Sequence, residues 1–114
     1  MTTAFILTRA EWNFARTGEG WAASLVDKGL AVFDEDGGIT LGQELRLIAE
    51  EAVSADAEER EPGVFALRGG RFCMLIEPYR LIPDALKISL YKDEKSLVEA
   101  IKGRDERIDG ETAG

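Results

Sequence analysis

The stretch Val64-Phe65-Ala66-Leu67-Arg68-Gly69-Gly70-Arg71-Phe72-Cys73-Met74-Leu75-Ile76 decides the fold. Two runs of aliphatic and aromatic residues flank Gly69-Gly70, which has the composition of a two-residue hairpin turn. That loop predicts that Leu67 pairs with Phe72 and Phe65 with Met74 on one face. Ala66 with Cys73 and Val64 with Leu75 then occupy the other. Both faces are apolar, so the sheet needs cover on both sides. A short chain has few helices to supply it, which predicts a homodimer or another protein against the bare face. Arg68 and Arg71 flank the turn and should point the same way, a like-charge pairing that water or an acidic contact must offset.

Downstream, Pro78 and Pro83 bracket Tyr79-Arg80-Leu81-Ile82. Leu86, Ile88 and Leu90 then alternate with Lys87, Ser89 and Tyr91, the period of a further strand. Ser96 and Glu99 have the spacing of a capping box, opening a terminal helix with Leu97, Val98 and Ile101 that Gly103 should stop. Residues 104–114 read as a flexible tail. Upstream, residues 55–63 are rich in acids, lack an apolar anchor and end on Pro62-Gly63, which predicts a solvated acidic connector.

Residues 1–54 read as the helical part. Phe5-Ile6-Leu7 suggests a short strand, and Thr8 with Glu11 forms a second capping box, Leu7 and Trp12 being spaced as a hydrophobic staple. Trp21, Leu25 and Val26 have helical spacing up to Gly29, a left-handed stop. Asp34-Glu35-Asp36-Gly37-Gly38 is a turn by composition. A third box, Thr40 with Gln43, should open a helix whose Leu41, Leu45, Ile48 and Ala52 make one apolar stripe. The whole is a single α+β domain over residues 1–103. Short helices in its N-terminal half precede an antiparallel sheet, built from a β-rich part at 64–103 with the Gly-Gly hairpin and a C-terminal helix.

The 114 residues are 45% apolar and 32% charged, with 14 bases against 22 acids and a net charge of −8. Residues 1–63 hold thirteen of the acids and five of the bases, so the acidity belongs to the helical half. Such a charge repels nucleic acid and anionic membranes. No apolar run approaches a membrane span and no signal segment is visible, so a cytoplasmic protein without membrane insertion is expected. One cysteine, Cys73, excludes an internal disulfide, and the absence of histidine removes the usual general base and the commonest metal ligand. The acidic turn fails as a calcium loop. With Gly37 at the sixth position, the first falls on Val32 and the twelfth on Gln43, neither a carboxylate. Cys73 has no neighbouring base or cation to activate it and reads as core. No catalytic residue, metal site or cofactor motif stands out, and the expected function is non-enzymatic.

Aromatic residues and arginines are the usual interface anchors. Trp12 and Trp21 should pack in the core by default, and exposure of either would mark a docking site. With Tyr91 and the hairpin arginines Arg68 and Arg71, they are the candidate protein-binding residues. Three short helices followed by a hairpin is also the order of a winged helix-turn-helix, giving the alternative of a small acidic transcriptional regulator. The third helix carries Glu44, Glu50 and Glu51, the wrong charge for a DNA groove.

The order of a strand with Leu7-Thr8-Arg9-Ala10-Glu11-Trp12, a helix ending in Lys28-Gly29-Leu30, then Asp36-Gly37-Gly38-Ile39-Thr40 and Glu44-Leu45-Arg46, resembles one half of an EspG-type, ESX (type VII) secretion-associated protein. The resemblance covers roughly residues 4–102. It implies a cytosolic, non-enzymatic chaperone-like subunit that binds a helical secreted substrate, and a single half that completes the arrangement by pairing.

Overall fold

The computed structural model describes the backbone of residues 3–113 and the side chains of residues 4–104. The chain runs β1 (Thr3–Thr8), α1 (Arg9–Thr17), α2 (Ser24–Asp27), β2 (Ala31–Phe33), β3 (Ile39–Leu41), α3 (Gln43–Ser54), β4 (Asp56–Glu61), β5 (Val64–Arg68), β6 (Cys73–Tyr79), β7 (Ala85–Tyr91) and α4 (Glu94–Ala113). An antiparallel five-stranded sheet has the order β1-β7-β6-β5-β4, and β2 with β3 makes a separate hairpin. This is an α+β fold.

The two faces of the central hairpin carry the expected residues, but its register differs. Phe65 pairs with Ile76, Leu67 with Met74 and Arg68 with Cys73. The turn is thus centred between Gly70 and Arg71, one residue later than the glycine pair suggests. Each residue's partner moves by two positions, which preserves the face on which every side chain lies. Leu67, Met74 and Ile76 join the main core with Leu7, Trp12, Leu25, Leu45 and Ile48. Val64, Ala66, Cys73 and Leu75 join the second core with Leu97 and Ile101 of α4.

The second face is therefore covered from within the chain. Leu97 is fully buried there. Arginine–carboxylate pairs hold α4 at two places: Arg68 Nε lies 2.9 Å from Glu94 Oε1, and Arg104 Nε lies 3.2 Å from Glu77 Oε2 and also reaches Glu61. The expectation that an apolar face is left bare is corrected, and the expected homodimer loses that premise.

Four further expectations are corrected. The acidic connector is strand β4, which pairs with β5 while all six of its side chains stay exposed. An edge strand that buries neither face carries no alternation, and its charges discourage pairing with another chain. Thr40 does not cap α3. It lies in β3 opposite Val32, and Gly42 takes the N-cap position with its N–H donated to the Leu30 carbonyl. The second helix is a single turn that leaves Trp21 outside it, although Gly29 is left-handed at its end as expected (φ 76°). Finally, α4 opens at Glu94, with the Asp93 carboxylate accepting the Ser96 N–H, and passes through Gly103 to Ala113. Gly103 keeps a negative-φ backbone, and Arg104 anchors the turn beyond it to the sheet. Of the expected flexible tail, the side chains from 105 onward and Gly114 lie outside the described residues.

Candidate interaction surface

The Thr8–Glu11 capping box forms as expected: Glu11 N–H donates to Thr8 Oγ1 at 3.1 Å and Thr8 N–H donates to Glu11 Oε1 at 2.7 Å. Glu11 is also buried and joins α1 to α2, accepting Lys28 Nζ and Ser24 Oγ, each at 2.6 Å. Burial is the largest single influence on its carboxyl and pushes the pKa up. The bonds from Lys28, Ser24 and Thr8 together outweigh it, and the net shift is downward. Lys28 also donates to the Ile6 carbonyl at 3.2 Å. Two backbone groups of the edge strand β1, the Ile6 carbonyl and the Thr8 N–H, are thus taken by side chains, which blunts that edge of the sheet.

By fixing α2, this network sets the start of the β2–β3 hairpin. Ala22, Leu25 and Ala31 are buried and tether the segment to the core. Trp21, Val32 and Phe33 point outward, 63%, 60% and 51% exposed. The rings of Trp21 and Phe33 stack with centroids 6.1 Å apart and planes inclined by 28°. Beyond Phe33 the turn is held by Asp34, whose Oδ1 accepts the N–H groups of Asp36 and Gly38. Glu19, Asp34, Glu35 and Asp36 are all exposed on the segments that carry the aromatic pair. An exposed aromatic stack with carboxylates on the adjoining segments has the composition of an interface anchor.

The other candidate residues have different surroundings. Trp12 is buried in the main core, with the Arg16 guanidinium 5.5 Å from its ring centroid. Arg68 and Arg71 do not form a like-charge pair: Arg68 turns to Glu94 and Glu58, and Arg71 Nε donates to Glu51 Oε2 at 3.0 Å. Arg71 lies within the turn, and Cys73 stands opposite Arg68. Tyr91, opposite Cys73, is half-buried against the second core. Burial pushes its phenol pKa up, with a further rise from the Glu77 charge and an opposing hydrogen bond from Ser89. The structure brings none of these four to Trp21.

Phe33 is a functional candidate that the composition of the acidic turn concealed, while Val32, exposed beside it in β2, points to the opposite face of the hairpin. The available signal was the flanking pattern, since Ala31-Val32-Phe33 and Ile39-Thr40-Leu41 are short strand-forming runs on either side of that turn. The hairpin also separates α2 from α3, so the uninterrupted helical order of the winged-helix alternative is not formed. Helix α3 exposes Glu44 and Glu50 and buries Leu45, Ile48 and Ala49.

A second surface feature lies on the main-core side of the sheet. A trough of about 500 Å³ runs between α1 and the β4–β5 strands. Its apolar lining includes Trp12, Phe65, Leu67 and Ile76, and α1 contributes Arg9, Asn13 and Arg16. Among the described residues no cluster of acidic or thiol side chains is placed to hold a metal ion. No helix among them is long and apolar enough to cross a membrane. No family model, curated protein or solved structure matches the chain.

Proposed function

We propose that this chain is a non-enzymatic, cytoplasmic protein-interaction domain, a secretion-chaperone-like accessory subunit that docks a helical partner on Trp21 and Phe33. The observation that carries the reading is the exposed Trp21–Phe33 stack on a hairpin tethered by buried residues. A rigid aromatic anchor loses little conformational entropy when covered. The carboxylates around it favour a helix bearing lysine or arginine beside its apolar stripe. The resemblance of the sequence to an EspG-type half is what suggests the chaperone-like role. A second copy is a poor occupant, because an isologous contact would bring two sets of Asp34, Glu35 and Asp36 together.

Fluorescence anisotropy with a labelled amphipathic peptide of leucine and lysine tests this reading. Saturable binding is expected, weakened about tenfold or more by the double substitution W21A/F33A. A leucine–glutamate peptide should bind less well. Unchanged affinity in the double variant, or equal binding of the acidic peptide, would overturn the assignment.

A further inference from the structure

The trough beside α1 shares no lining residue with the Trp21–Phe33 tip. Its floor is the main-core face of the sheet, where Phe65 pairs with Ile76 and Leu67 lies two residues along the same strand. Helix α1 forms one wall, with Arg9, Asn13 and Arg16 on the same side at positions i, i+4 and i+7. These three span two helical turns, roughly 10 Å. A largely apolar cleft of this size with a few polar groups at one wall has the form of a small-molecule site.

The polar groups specify the charge of the ligand. Arg9 is engaged by Asp84, its Nε lying 3.2 Å from Oδ1. Arg16 packs against the Trp12 ring and meets no carboxylate among the described residues. The Arg16 guanidinium, stacked on Trp12 but without a carboxylate among the described residues, and the Asn13 amide match a single negative charge with two acceptor oxygens. A phosphate monoester, with nearly two charges and three acceptor oxygens, would leave part of its charge unpaired. We propose that the trough binds a small apolar carboxylate of the medium-chain fatty-acid class, its hydrocarbon against Phe65, Leu67 and Ile76 and its carboxylate on Arg16. Binding is non-covalent, and no bond is made or broken.

Trp12 borders the trough and Trp21 does not, so a Trp21→Phe variant leaves one tryptophan reporting on it. Decanoate is titrated into this variant below its micelle concentration, with calorimetry in parallel. The expected result is a saturable change in Trp12 emission. Arg16→Gln should weaken decanoate about tenfold and leave decanol unaffected. Ala57→Phe, which fills the trough from the exposed β4 strand, should abolish binding while circular dichroism stays unchanged. Absence of saturable binding would overturn the proposal, as would equal affinities for decanol and decanoate or a folded Ala57→Phe variant that binds normally. None of these readouts depends on the peptide-docking surface.

Discussion

Two buried carboxylates hold local structure together. Glu51 is 3% exposed, and its Oε1 accepts the N–H groups of Gly70 and Arg71 at 3.0 and 3.4 Å. A Cβ on Gly69 would stand 2.6 Å from both Glu51 Cγ and the Phe72 carbonyl oxygen. Gly69 is therefore required by close approach, since its φ lies outside the left-handed range. Gly69→Ala should cost about 1–3 kcal/mol by this overpacking, measured as a shift in urea midpoint. Glu11 adds a pH dependence. Its folded pKa lies below the ordinary 4.5, so its stabilisation is complete above that value and disappears as pH falls through the folded pKa. Glu11→Gln should therefore be less stable than the parent at neutral pH, the gap closing as pH drops below about 4.5. Chemical denaturation at a series of pH values checks this, and a gap independent of pH would contradict it. Neither role was legible from the sequence. Glu11 was visible only as a helix cap, and Glu51 reaches a turn about twenty residues away in the chain.

At the scale of elements, legibility followed the source of each element's stability. The hairpin faces, β7 and the part of the α3 stripe at Leu45, Ile48 and Ala52 are legible because burial writes a periodic pattern into the sequence, whereas Leu41, expected on the same stripe, lies in β3 opposite Ala31. Strand β4 buries no side chain and wrote none. Its bonds are satisfied by the backbone of β5, and its function as a charged edge gives the composition of a loop. The short β2–β3 hairpin is concealed similarly, so the candidate site is only partly legible: Trp21 stands out in the sequence, and its stacking partner Phe33 does not. The length of α4 was underestimated because Gly103 suggests a stop, whereas the Arg104 anchor is a tertiary contact. Leu97, fully buried beneath α4, should cost about 2–5 kcal/mol when replaced by alanine. The same substitution should increase binding of a hydrophobic dye, because it loosens the cover of the second face. Full stability in Leu97→Ala would show that α4 does not depend on this contact.

At the scale of the whole molecule, the sheet offers few places for another chain. Helices α1 and α3 lie on the main-core side and α4 lies on the other. The β4 edge is charged, and side chains occupy part of the β1 edge. The isolated chain should therefore sediment as a 12.5 kDa monomer over a concentration series. A species of about twice that mass at low micromolar concentration would reinstate pairing through a surface of the chain itself. Partner contact is instead expected at the hairpin tip. The most direct test is nuclear magnetic resonance mapping of the ¹⁵N-labelled chain as the leucine–lysine peptide is added. The expected perturbations centre on the Trp21 indole N–H and the amides of Val32, Phe33 and Asp34. Perturbations centred on the β1 or β4 edge, with Trp21 unmoved, would contradict this placement.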